Sequence, residues 1–354
     1  MYALRAKTRW LARTQRERHC GTWAVDDVNH HPYVEVHRQP DGSGRARWCG
    51  LLKCGHVWTC PVCALNLLAK KSEKLSAGVR GLGGRWQMLT VTLRHRDGVP
   101  LRVTLAALLK AWRRCRQGGR VQGLWSEYVT GSVRATEITH GNGGWHPHLH
   151  VLLRTPEWPS EAKQELLEAF QRAIRAELGQ SFVPNDDHAL TWSDAFDATD
   201  SPERARYLSK MGLELASTKV TRSSITPWDI ARAAAAGDQA AMRLWSEYYD
   251  ATRGRRRCEL DVRASDAAKA QLIEDAGERE VSGVIEPPLR IEVKRDEVRE
   301  LRALERRHPT IFADVLTGAE QTGSSEVRAW IAYAQRPRPP PCQTPTTSPQ
   351  SNST

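Results

Sequence analysis

Three imidazoles at alternate positions, His146, His148 and His150, followed by the apolar run Val151-Leu152-Leu153, are the residues of this chain best arranged for chemistry. In a β-strand alternate side chains share a face, so the three rings point one way. Neutral imidazole is the commonest metal ligand, and a row of histidines makes a poor core. Glu137 lies in the apolar-polar segment just before, and a carboxylate there completes a site across from His148 or His150. A carboxylate in such a set admits Mg²⁺ or Mn²⁺ rather than zinc alone. The bland alternative is a surface strand with three solvated histidines.

A second set is thiol-based. Cys60-Pro61-Val62-Cys63 is a two-residue knuckle, with Cys54 six residues upstream of it. Tetrahedral zinc takes four N or S ligands in closed structural sites. Cys54, Cys60 and Cys63 are three of them, and the fourth is Cys49 or His56, between which spacing does not decide. Cys20, Cys115, Cys258 and Cys342 read as isolated, inert thiols. A thioredoxin-like redox pair would open a helix after a strand in a βαβ unit, and no such unit is read here.

A third set is helical. Ser201-Pro202-Glu203 combines an N-cap, a proline at the first helical position and an acid in the first turn, which starts a helix to about Leu215. On it Glu203, Tyr207 and Lys210 fall at i, i+4 and i+7 and share one face. By itself that stripe equally describes a salt-bridged surface helix.

The remaining elements position these groups. Arg85 to Leu93 alternates as a strand. Tyr128 to Thr139 is a second strand, and Gly141-Asn142-Gly143-Gly144 turns it into the histidine strand, so 128–153 reads as a hairpin. Helices are read at Ala64–Leu75, Leu101–Cys115, Ser160–Leu178, Ala231–Tyr249 and Arg290–Arg307, while residues 1–35 read as basic and irregular. The tail from Arg336 is rich in Pro, Ser and Thr and is expected to be disordered.

The chain has 354 residues, a net charge of +11 and a pI near 9.5. That balance points to a polyanionic partner, nucleic acid first. Basic residues crowd the N-terminus, the stretch from Arg94 to Arg120, and Arg255-Arg256-Arg257; Arg94, Arg96, Arg113, Arg114, Arg255 and Arg256 are the candidate DNA contacts. No apolar run approaches the ~20 residues of a membrane span. With no secretory h-region either, a cytoplasmic protein is expected.

Taken together the motifs resemble a known family. His148-Leu149-His150 resembles the histidine motif of HUH endonucleases, and Tyr207-Leu208-Ser209-Lys210 the Tyr-x-x-Lys motif of their single-tyrosine class. Leu89-Thr90-Val91-Thr92 is similar to the strand motif that precedes the histidines in rolling-circle plasmid replication initiators. Cys54 to Cys63 resembles the cysteine-rich segment of actinobacterial-type members, with His56 standing where a small polar residue is expected.

The resemblance implies an α+β fold with a central antiparallel sheet, helices on one face of it, and the tyrosine helix across the metal site. It implies a zinc-bearing basic region over 1–80, a nicking and joining domain over 81–265, a mainly helical region over 266–335 and a disordered tail over 336–354. It implies origin nicking through a 5′-phosphotyrosine formed by Tyr207. In that reaction Mg²⁺ or Mn²⁺ sits on His148, His150 and Glu137, with His146 a further ligand or a hydrogen-bond partner. Lys210 steadies the phosphate or phenolate, and Glu203 promotes a water-mediated closing cut. The implied partners are origin DNA, single-stranded or as a hairpin, with a host helicase and a single-strand binding protein, and no membrane. The other readings are an HUH transposase or mobilisation relaxase, a histidine-triad nucleotide hydrolase that needs no metal, and a non-enzymatic zinc-bearing DNA-binding protein.

Overall fold

The computed structural model describes residues 2–25, 31–38, 43–199, 224–282 and 288–336. In chain order these form helices α1 (Tyr2–Thr8) and α2 (Gln15–Arg18), strands β1 (Tyr33–Arg38) and β2 (Gly44–Cys49), α3 (Pro61–Leu82), β3 (Arg85–Thr92), α4 (Leu101–Cys115) and α5 (Gly119–Tyr128). There follow β4 (Gly131–Gly141), β5 (Gly144–Arg154), α6 (Ser160–Leu178), α7 (Asp186–Ala189), β6 (Leu190–Asp197), β7 (Ser224–Ile225), α8 (Pro227–Ala235) and α9 (Gln239–Thr252). The last are β8 (Cys258–Leu260), α10 (Val262–Ser282), β9 (Leu289–Glu292), α11 (Arg295–Leu304), α12 (Ile311–Thr322) and α13 (Ser324–Ala334). The fold is α+β, as the motifs imply.

Two compact units divide the chain, and their bounds differ from those read from the sequence. One comprises Met1–Thr22 and Leu51–Pro287; the other comprises Trp23–Gly50 and Pro288–Thr354. The cysteine segment and the histidine hairpin therefore share a unit instead of forming successive domains. The reason is strand pairing: β1 pairs with β2 on one edge and with β9, about 250 residues later in sequence, on the other. Backbone groups of the N-terminal segment are satisfied by the C-terminal one, which no local pattern announces. In this smaller unit Val34, Val36, Trp48, Ile291, Leu301 and Phe312 are buried together.

The larger unit is built on an antiparallel sheet in the order β6-β3-β5-β4-β7, with β8 also paired to β4. Alternation along β3 and β5 gives the sheet two different faces. Leu89, Val91, Leu149, Val151 and Leu153 point into a core with Leu108 and Trp112 of α4 and Leu166, Phe170 and Ile174 of α6. The opposite face is apolar at one end, where Trp86, Met88, Val133, Ala135 and Leu152 meet Leu75 and Val79 of α3, Trp228 and Ile230 of α8, and Trp245 and Tyr248 of α9. Helices α3, α8 and α9 thus cover part of the face that carries the histidines, where the sequence reading put only the tyrosine helix; the apolar end of that face is too large to leave in water. At its other end that face carries Thr90, Thr92, Glu137 and the histidines.

Three local expectations change. The single helix read over 231–249 is two, because Gly237 adopts φ 100° and Asp238 caps the second through Ala240 and Ala241 N–H. Residues 289–292 are strand β9, so the charged helix starts at Arg295. The basic helix read from Ala64 to Leu75 extends from Pro61 to Leu82 and packs on α10. Gly78 and Gly81 permit that approach: a Cβ on them would stand 2.7 Å from Ala264 O and 2.8 Å from Ala267 O.

Candidate metal and DNA-processing site

The hairpin of β4 and β5 sets Glu137 directly opposite His148, with Ala135 opposite His150 and Thr139 opposite His146. Its turn closes with Gly141 paired to Gly144, whose φ of 82° and 3.0 Å clearance to Arg96 O admit only glycine without strain. Glu137 Oε2 lies 2.6 Å from His148 Nε2 and 3.1 Å from His150 Nε2. The two imidazole edges converge on one carboxylate oxygen, and all three side chains are 14% exposed or less. Burial pushes the Glu137 carboxyl up. Hydrogen bonds and charge from His148 and His150 outweigh this and hold it well below the usual carboxylate range.

These donors fit a divalent cation. Octahedral oxygen and nitrogen ligands at about 2.1 Å stand about 3.0 Å apart, close to the spacing found. Among the described residues His148 Nδ1 is buried without a partner, while His150 Nδ1 faces Thr90 Oγ1 at 3.3 Å. Thr90 belongs to β3 and is paired with His150 across the sheet, so the strand motif supplies the group that orients one imidazole. Thr90→Val keeps the shape and removes that hydroxyl. Its expected effect is about a 10–100-fold loss of Mn²⁺ affinity in calorimetry; an unchanged affinity would mean that Thr90 does not orient His150.

His146 does not join the group. Its ring stacks on His95 at 4.4 Å between centroids, its Nε2 is buried without a partner among the described residues, and burial with the neighbouring His148 and His95 lowers its pKa to about 4. It faces a groove of about 490 Å³ that also takes in Arg94, His95, Asn185 and His188. His95 was not read from the sequence. Its only signal is that Arg94-His95-Arg96 follows the strand motif directly.

The thiol cluster is Cys20, Cys54, Cys60 and Cys63. Sulfur separations are 3.4 Å for Cys20–Cys63, 3.5 Å for Cys20–Cys60 and 3.6 Å for Cys54–Cys63. A tetrahedron of thiolates at about 2.3 Å from zinc has edges of about 3.8 Å, so the four fit such an ion. Cys60 caps α3 and Cys63 lies in its first turn, where the helix dipole favours thiolate. Cys63 also accepts the Gly55 N–H at 3.3 Å. Hydrogen bonds from Cys20, Cys54 and Cys60 bring its pKa far down.

Both candidates for the fourth position are corrected. Cys49 ends β2 in the other unit, beside Tyr33. His56 Nδ1 instead faces Glu17 Oε2 and the Tyr249 hydroxyl, each at 3.4 Å. Cys20, read as inert, takes their place. The chain leaves for the other unit after Thr22 and returns at Leu51, and Gly21 N–H donating to Leu52 O at 2.7 Å closes that excursion. This brings Cys20 within reach of Cys54, 34 residues later in sequence, and of the knuckle beyond it.

Glu203, Tyr207 and Lys210 lie outside the described residues, as does the tail from 337. Among the candidate DNA contacts, Arg94, Arg96, Arg113 and Arg256 are exposed and Arg255 is half-buried. Arg114 is already engaged by Glu177 at 2.5 Å. No helix among the described residues is long and apolar enough to cross a membrane.

Residues 48–175 match the family model described as replication protein. The match takes in the strand motif, Glu137 and the histidine strand. Protein rep of Streptomyces lividans is 27% identical over 285 residues, covering 59% of this chain and 62% of that protein. A neomycin resistance protein of Streptomyces cyanogenus is 29% identical over 181 residues, 43% of this chain and 39% of the relative. Protein rep of Bacillus amyloliquefaciens is 32% identical over 103 residues, 27% of this chain and 29% of the relative. The chain thus spans about three fifths of the first of these and less of the others. No solved structure matches it.

Proposed function

We propose, from the match of residues 48–175 to a replication-protein domain, that the chain is a rolling-circle plasmid replication initiator, which nicks one DNA strand at a plasmid origin by tyrosine transesterification. The observation that carries this reading is the convergence of His148, His150 and Glu137 on one point of the sheet inside that domain.

A Mg²⁺ or Mn²⁺ ion on those three residues would polarise the scissile phosphate and take up the charge that develops there. His150 is held for that task by Thr90, and Leu149 on the opposite face anchors the strand in the core. Tyr207 Oη forms the new bond to phosphorus, the P–O3′ bond breaks, the phenolic proton is lost, and the 3′-oxygen takes up a proton. The products are a 5′-phosphotyrosine and a 3′-hydroxyl primer. One phosphodiester replaces another, so joining needs no ATP. Lys210 steadies the phosphate or the phenolate, and Glu203 takes a proton from the water of the closing cut. The Cys20–Cys54–Cys60–Cys63 cluster holds structural zinc. A host helicase and a single-strand binding protein complete the proposed partners, and the cytoplasm is the proposed site of action.

The match to replication proteins favours an initiator over the transposase, relaxase and histidine-triad readings, and the converged donors favour an enzyme over a zinc-bearing regulator. The test uses the full chain and a labelled single-stranded oligonucleotide spanning the origin. With Mn²⁺ a denaturation-resistant protein–DNA adduct is expected, and EDTA should abolish it while zinc content, measured in parallel, is retained. His148→Ala should slow nicking at least about a hundredfold, the kinetic equivalent of about 3 kcal/mol. Metal-independent cutting at the same rate would sink the proposal.

A further inference from the structure

A second hollow in the same unit has no part in the chemistry above. It measures about 370 Å³, within the range of ligand sites of about 300–1,000 Å³, and lies between the loop Gly55–Thr59 and the end of α9. His56 and Trp58 line one wall; Tyr249, Arg253 and Arg255 line the other. Tyr249 is fixed from behind, its hydroxyl donating to buried Glu17 at 2.7 Å, while the Thr59 hydroxyl donates to the same carboxylate at 2.8 Å. The Arg13 guanidinium covers the Tyr249 ring at 4.5 Å and pairs with Asp250.

Two cations line the hollow, and Arg255 Nε donates to Ala251 O at 2.8 Å. Among the described residues neither Arg253 nor Arg255 pairs with a carboxylate, whereas Arg13, Arg80, Arg114 and Arg134 each do. Burial lowers the Arg255 pKa, and the charge that adds to this effect is another arginine, Arg102. Two arginines without a carboxylate partner among the described residues, beside a cleft with aromatic walls, suit a phosphodiester with an attached base.

One segment runs from the hollow to the strand of the metal site. Trp58 Nε1 donates to Arg255 O at 2.8 Å, and the Arg257 guanidinium lies over the Trp58 ring at 5.0 Å. Arg257 O accepts the N–H of Thr136, the residue before Glu137, at 2.8 Å. Cys258, next along, pairs with Ala135. One short segment thus forms the wall of the hollow and then the edge of the strand that presents Glu137.

We propose that this hollow is a second DNA-binding site, which takes one nucleotide of the origin with its phosphate against Arg253 and Arg255. The proposal rests on reading DNA as the substrate, but not on the nicking reaction.

The test is binding of labelled origin DNA by the full chain across a salt series, read by fluorescence anisotropy in EDTA-free buffer without Mn²⁺. Each phosphate contact contributes about 0.7–0.9 to the slope of log K against log salt. Arg253→Gln, an exposed side chain, should lower the slope by about that much, and adding Arg255→Gln should lower it about as much again, with affinity down about tenfold or more. Arg263→Gln removes the same charge from an exposed position outside the hollow and should change the slope less. Equal effects of Arg253→Gln and Arg263→Gln would mean a diffuse basic surface and overturn the site; so would unchanged slopes in correctly folded Arg253→Gln protein. A parent chain that binds with the expected slope yet forms no adduct would remove the nicking reading and leave this site standing.

Discussion

Tyr207→Phe is expected to leave DNA binding intact and to reduce the covalent protein–DNA adduct to background. The substitution removes one oxygen, the atom proposed to become part of the new phosphodiester, and neither a carboxylate at Glu203 nor an amine at Lys210 can form the same ester. A protein lacking its nucleophile loses the reaction, whereas one lacking an orienting group is slowed. The measurement is a denaturing gel of labelled oligonucleotide after incubation with Mn²⁺, with band position reporting the attachment. An adduct formed at the parent rate by the phenylalanine variant would assign the nucleophile elsewhere. Glu203→Ala gives the contrasting result: adduct formation at the parent rate, with the closing cut lost. Equal loss of both steps would take away the role given to Glu203.

The second large effect concerns the thiols. Cys20→Ser is expected to strip bound zinc from the purified chain, while Cys49→Ser retains it. Structural zinc contributes about 10–16 kcal/mol of apparent binding energy in small zinc modules, so losing one of four thiolates should also lower the thermal midpoint of the larger unit. The chain entering the loop Gly55–Thr59 is restrained by these sulfurs: Cys54 N–H donates to Cys20 sulfur at 3.4 Å, and Gly55 N–H to Cys63 sulfur at 3.3 Å. Bound zinc is read by atomic emission on dialysed protein. Retention by Cys20→Ser with loss in Cys49→Ser would reverse the ligand assignment.

Much of the candidate metal site was legible in the sequence because its signals are local. A period of two puts His146, His148 and His150 on one face whatever the rest of the chain does. The glycine-rich turn at 141–144 folds β4 back on β5, and its position brings Glu137 near the histidines. Whether Glu137 served His148 or His150 was open. The register sets it opposite His148, and the reach of one carboxylate oxygen lets it serve both.

The helical half was less legible where two opposing signals met. Ala231 to Tyr249 carries a helical pattern throughout, and the break at Gly237-Asp238 is a cap that the long apolar face disguised. Strands β1, β2 and β9 were missed for another reason. Each is short, and β1 finds both its partners in segments that look basic or charged by themselves.

By itself, then, the sequence determined which residue types stand at strand and knuckle spacing: the alternating histidines, the Cys60–Cys63 pair, and the basic balance that calls for a polyanion. Only the tertiary structure decided which distant residue completes each set. Cys20 replaces Cys49 because Gly21 and Leu52 bridge the excursion to the other unit. Thr90 meets His150 because β3 lies beside β5, and His95 meets His146 because the loop after β3 lies against the hairpin turn. The physical reason is common to all three. Side-chain direction along a strand or helix follows from backbone period and is written locally, whereas closure between remote segments is set by which backbone groups and apolar faces satisfy one another in the folded chain.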